Sequence, residues 1–146
     1  MIKNIYVYFF IILLCLPSCT KDEDNVFFEI NLIDTYPTEI VEFQENIYVK
    51  LSYQHTEGYL GFSNPDYLSL EVKDSRLSEA DYYHVIPITP ANNSLSVTGE
   101  LLVEIDSPFV FGNGVTNTVN FTLRIQDQNL VWSNKITTPN ISVYKE

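Results

Sequence analysis

Few side chains in this sequence are equipped for catalysis, and their spacing limits what they could do. His55 and Glu57 lie two residues apart, so on a strand they would share one face. His84 closes the run Asp81-Tyr82-Tyr83-His84. A hydrolytic triad needs a nucleophile, a base and an orienting acid brought together. No Gly-x-Ser-x-Gly elbow supplies the nucleophile here. A zinc site needs three or four ligands, and two scattered histidines fall short. Glycosidases work with a pair of carboxylates, but the nineteen acidic residues are spread without a selected pair. Both histidines are therefore expected at the surface or in turns. The expectation is a protein without catalytic residues, metal ligands or cofactors, and not an enzyme.

Aromatic residues offer a different chemistry. Ten Tyr, nine Phe and one Trp are a heavy load for 146 residues. Exposed rings grip sugar faces or protein partners. Tyr59, Tyr82, Tyr83 and Trp132 are the candidate binding residues, with Tyr48 and Tyr67 as further rings of partial exposure. The competing role for all of them is sheet core and cross-strand pairing.

These residues need strands to position them. From Val26 onward the apolar residues recur with period two. Val26 to Ile33 is a first stretch. Ile47, Val49, Leu51 and Tyr53 share one parity, as do Leu68, Leu70 and Val72. Leu95, Val97, Leu101, Val103 and Ile105 follow, with Gly99 marking a bulge or a close approach. Val119, Phe121, Leu123 and Ile125 form another face, and Ile136, Ile141 and Val143 close the chain around Pro139. Breakers such as Asn64-Pro65-Asp66, Ser107-Pro108 and Gly112-Asn113-Gly114 separate them. No amphipathic helix of useful length is visible. About seven short strands predict an all-β fold, an immunoglobulin-like two-sheet sandwich over residues 26–146.

The first 18 residues differ in kind. Lys3 precedes an apolar run from Ile5 to Leu16. As a helix, twelve residues span roughly 18 Å, too short for a hydrocarbon core of about 30 Å. A basic start and a short apolar run match a secretory leader. The leader ends Leu16-Pro17-Ser18-Cys19, which resembles the lipobox of bacterial lipoproteins. That resemblance implies cleavage before Cys19 and lipid on its thiol. Cysteine usage agrees, because Cys15 would leave with the leader and Cys19 would be the only thiol of the mature chain. Several acyl chains anchor stably where one is marginal.

Residues 19–25 read as a flexible acidic tether. Within it Thr20-Lys21-Asp22-Glu23-Asp24 resembles the export signal of surface-exposed Bacteroidetes lipoproteins. Loss of Lys3 would take the formal charge from −11 to −12, one positive charge fewer. Such an acidic surface with no basic patch argues against nucleic-acid binding.

Two segments resemble uncharacterised lipoprotein domains of the Bacteroidetes. One is Tyr53-Gln54-His55-Thr56-Glu57-Gly58-Tyr59-Leu60-Gly61-Phe62 with Val72-Lys73-Asp74-Ser75-Arg76. The other is Arg124-Ile125-Gln126-Asp127 with Trp132-Ser133-Asn134-Lys135-Ile136-Thr137-Thr138-Pro139-Asn140-Ile141. The resemblance implies an exported lipoprotein with an immunoglobulin or fibronectin III-like domain and assigns no reaction. In that family the first segment reads like Asp-x-Asp-Gly-Asp, a pattern similar to calcium loops. Here His55, Glu57 and Tyr59 stand at those positions, so one carboxylate of three remains. Gly58 and Gly61 are expected to serve a tight turn.

The functional expectation is a lipid-anchored, outward-facing binding module of the outer membrane, with a protein or glycan partner. The alternative is a structural accessory subunit of an envelope secretion or uptake complex.

Overall fold

The computed structural model describes residues 27–58, 60–88 and 96–146. The leader, Cys19, the acidic tether and Tyr59 lie outside the described residues. Those described form an all-β fold of ten strands with no helix, consistent with a β-sandwich. The strands are β1 (Phe28–Tyr36), β2 (Glu39–Val41), β3 (Ile47–His55), β4 (Leu70–Asp74) and β5 (Asp81–Tyr83). After them come β6 (Val97–Ile105), β7 (Thr116–Val119), β8 (Phe121–Ile125), β9 (Ile136–Thr137) and β10 (Ile141–Tyr144).

They assemble into three sheets, ordered β1-β3-β6, β2-β10-β7 and β5-β4-β8-β9. The first and third are antiparallel throughout, whereas β2 runs parallel to β10. Period-two patterning explains β3 most directly. Ile47, Val49, Leu51 and Tyr53 are buried, and the residues between them face outward. β8 repeats this with Phe121, Leu123 and Ile125. One core cluster gathers residues from all three sheets, with Ile30, Leu51, Leu60, Leu123 and Ile141 fully buried.

Several expectations change. β1 continues past Ile33 to Tyr36, through a bulge between Leu32 and Asp34. The extra residue switches faces, so Ile33 is exposed and Thr35 is buried. The apolar stretch from Val119 to Ile125 is two strands, because β7 and β8 part at Asn120 and join different sheets. β9 and β10 likewise part at Pro139, which has no amide to donate. The short strand β2 had no pattern to reveal it. Leu68 is exposed and lies outside β4, while Ser69 and Glu71 are buried. Leu70 and Val72 are buried as their parity predicts, and Glu71 is buried as well because the outer face of β4 is itself covered, as described below.

Gly99 is a close approach rather than a bulge. It pairs in register with Tyr53, and a Cβ at this position would collide with the Tyr53 phenol ring. That ring is buried and cannot swing aside freely. Gly99→Ala is expected to destabilise the fold by about 1–3 kcal/mol through overpacking. The penalty should shrink in a Tyr53→Leu background, as a double-mutant cycle of urea unfolding would measure.

Candidate functional site

His55 extends the inward parity of β3 by one more step, and it is the deepest polar side chain of the strand. It is fully buried, as is Asp127, and its Nε2 lies 3.0 Å from Asp127 Oδ2. Its Nδ1 accepts the backbone N–H groups of Glu57 at 3.0 Å and Gly58 at 3.1 Å. Two donors at Nδ1 leave the ring proton on Nε2, aimed at the carboxylate. Asp127 Oδ1 accepts the N–H of Val131 at 2.7 Å. The expectation of a surface or turn histidine is thus corrected for His55. The parity of Ile47, Val49, Leu51 and Tyr53 carries the signal for its burial. His84 is partly buried, with Nδ1 3.1 Å from the carbonyl of Tyr67.

The histidine also settles the turn that follows. Its ring takes the N–H groups that open the Glu57-Gly58 turn, and Gly58 and Gly61 adopt φ of 71° and 78°. Among the described residues no three His, Cys, Asp or Glu side chains converge on one point.

The residues of the second resembling segment hold this end of the fold together. The Asn134 side chain donates to the carbonyl of Ile30 and accepts its N–H, both at 2.8 Å, so one amide mimics a strand partner for β1. Ser133 Oγ accepts the N–H of Ile125, and Thr138 Oγ1 accepts that of Phe121.

Outside the sheet β5-β4-β8-β9 a row of side chains crosses three strands and the loop between β8 and β9. Glu71 faces Tyr82 on one side and Arg124 on the other, by strand register. Glu71 Oε2 accepts from Arg124 Nη2 at 2.6 Å and from the Tyr82 hydroxyl at 3.1 Å. Arg124 in turn lies under the Trp132 ring, its Cζ 4.3 Å from the ring centre. Arg124 Nε is buried and meets no acceptor among the described residues. Tyr82 stays 47% exposed. Lys73 shares the outer face of β4, opposite Thr122, whose hydroxyl lies 3.2 Å from that of Thr137.

Tyr82 and Trp132 are therefore brought into one site. Tyr83 is not, because successive strand residues point to opposite faces. Tyr83 pairs with the inward Leu70 and lines an apolar cleft of about 350 Å³ with Val85, Ile86 and Leu102. The Glu71–Arg124 pairing had no sequence signal, since only register places the two side by side. The row presents two ring faces, a guanidinium and a phenol hydroxyl, with threonine hydroxyls beside them.

Burial on its own would raise the pKa of Glu71. Hydrogen bonds from Arg124 and Tyr82, with the charges of Arg124 and Lys135, outweigh it and hold the carboxyl below its ordinary value. The bond to Glu71 raises the pKa of both Tyr82 and Arg124. A depressed carboxylate stabilises the fold above its unfolded value of 4.5, and the contribution is lost as pH falls through the folded value. The stability gap between the native protein and Glu71→Gln should thus be full at pH 7 and close below 4.5, as thermal melts across that range would record.

His55→Ala strips the partner from Asp127 Oδ2, leaving that carboxylate only the Val131 N–H, and from the amides of Glu57 and Gly58. Breaking such a buried pair should cost about 3–5 kcal/mol in urea unfolding. In comparisons with known proteins, no family model and no curated protein matches this chain.

Proposed function

We propose that this chain is a lipid-anchored interaction module of a bacterial outer membrane, facing outward, with its binding surface on the outer face of β5-β4-β8-β9. The observation that carries the reading is the row Tyr82–Glu71–Arg124–Trp132. Its aromatic rings are held in place by a fixed ion pair and remain partly open to solvent. Preorganised rings lose little entropy on binding, which is why such residues dominate recognition surfaces.

The anchoring part of the proposal rests on the leader, on the lipobox-like Leu16-Pro17-Ser18-Cys19 and on the acidic stretch after it. The domain is read as an immunoglobulin-like sandwich. Joining β7 to β8 and β9 to β10 across their breaks reduces ten strands to eight, in two sheets: β1-β3-β6 and a second running from β2 to β5. In such domains the inner faces of the two sheets build the core, which leaves the outer faces open to solvent.

Two measurements test the proposal. Protease shaving of intact cells should degrade the protein while a periplasmic control survives; protection until the outer membrane is opened would refute the outward placement. With a partner recovered by crosslinking on whole cells, Trp132→Ala should weaken binding about thirtyfold, a loss typical of an anchoring ring. Unchanged affinity would move the binding surface elsewhere.

A further inference from the structure

The chain is acidic overall, yet its positive charge is unevenly placed. The basic residues in the described part are Lys50, Lys73, Arg76, Arg124, Lys135 and Lys145. Lys50 pairs with Glu100, and Arg76 with Asp74, both away from the row. Three of the six, Lys73, Arg124 and Lys135, belong to the outer face of β5-β4-β8-β9. Lys73 lies beside Glu71 on the outer side of β4, and Lys135 is near enough for its charge to act on Glu71. Lys73 and Lys135 are exposed and make no ion pair among the described residues. Glu71 is the carboxylate built into the row, and Arg124 neutralises it; the exposed Glu79 is near enough for its charge to act on Tyr82, so the cations prevail at the Trp132 end of the row.

Resting on the binding reading above, we infer that this face takes an anionic polysaccharide, one bearing uronate or sulfate groups. Each requirement of such a ligand has a counterpart here. Sugar rings present C–H faces that stack on aromatic rings, and Tyr82 and Trp132 flank the row. Hydroxyl groups need partners that both donate and accept, and the Thr122–Thr137 pair lies between the lysines. Acid groups need cations without partners, which Lys73 and Lys135 supply.

The shape of the surface favours a glycan over an acidic peptide. Peptides are gripped by free sheet edges or by apolar grooves. This surface is the broad face of a four-stranded sheet, about 15 Å across at the usual strand spacing. The long-range repulsion of an acidic protein does not forbid the contact, because salt screens it beyond about 10 Å at 0.1 M. Near neighbours then govern the local field.

Trp132 is the only tryptophan in the chain, so its fluorescence reports on this surface directly. Full-length protein in detergent would be titrated with polygalacturonate, with neutral dextran and with poly-glutamate. Polygalacturonate should change the Trp132 emission and bind more weakly as salt rises. Lys73→Glu with Lys135→Glu should lower its affinity at least about tenfold. Both side chains are solvent-exposed, so the melting temperature should fall only slightly, through loss of the Lys135 charge near Glu71, and the fold should persist. Equal binding of dextran would overturn the anionic assignment and leave the binding-module reading standing. Equal or tighter binding of poly-glutamate would overturn it in favour of an acidic peptide. Silence with all three polymers, or charge-reversed protein that binds unchanged, would also overturn it, while the shaving and crosslinking results would still judge the module reading.

Discussion

The buried pair of His55 and Asp127 is the contact on which the rest of this end of the molecule depends. It joins the last residue of β3 to the turn after β8, two points 72 residues apart in the chain. Both groups are removed from water, so each must find partners inside the protein. They do: the imidazole serves two backbone amides and the carboxylate, and the carboxylate also orders the turn through Val131. Phe28 packs against the imidazole with ring centres 4.7 Å apart, which ties β1 into the same knot. A buried polar cluster of this kind stabilises less than an apolar plug of equal volume, but it tolerates few alternative arrangements.

The outer face inherits its order from that contact. Val131 is fixed by Asp127, and Trp132 is the next residue. Its ring lies over Arg124, which is held by Glu71, which in turn receives the hydroxyl of Tyr82. A buried constraint is thus relayed through covalent neighbours and short polar contacts to a surface with one exposed ring, Tyr82, and one partly exposed ring, Trp132. The relay also explains why Glu71, an outward residue by parity, is buried: Arg124 and Tyr82 close over it. The pair costs desolvation, which the hydrogen bonds and two nearby positive charges more than offset, as the lowered pKa of Glu71 records.

The residues that carry the resemblance to exported lipoprotein domains turn out to be largely architectural. Asp127, Ser133, Asn134 and Thr138 each satisfy backbone groups where strands break or change sheets. Sheets that share a core need such devices at their corners, since every buried amide left open there is a loss. Gly58 and Gly61 belong to the same category, because both have φ in the region that glycine favours.

Local physics was legible in the residues themselves. Alternation along Ile47–Tyr53 and Phe121–Ile125 announced strands and their buried faces, since side chains of a strand must point alternately. Gly99 marked a bulge or a close approach, and the rings were open to two roles, recognition or sheet core. Even the burial of His55 was written in its parity with Leu51 and Tyr53, though its polarity argued otherwise. The rest depended on which strands met. That β7 and β8 belong to different sheets, that β2 pairs with β10, and that Glu71 lies opposite Arg124 are facts of register. Register is set by the whole core at once, because shifting a strand by one residue would turn every side chain to the wrong face. The sequence by itself therefore determined strands, turns and the inventory of rings and charges. Only the tertiary structure decided which of them stand side by side, and so separated Tyr82 and Trp132, gathered on one face, from Tyr83 on the other.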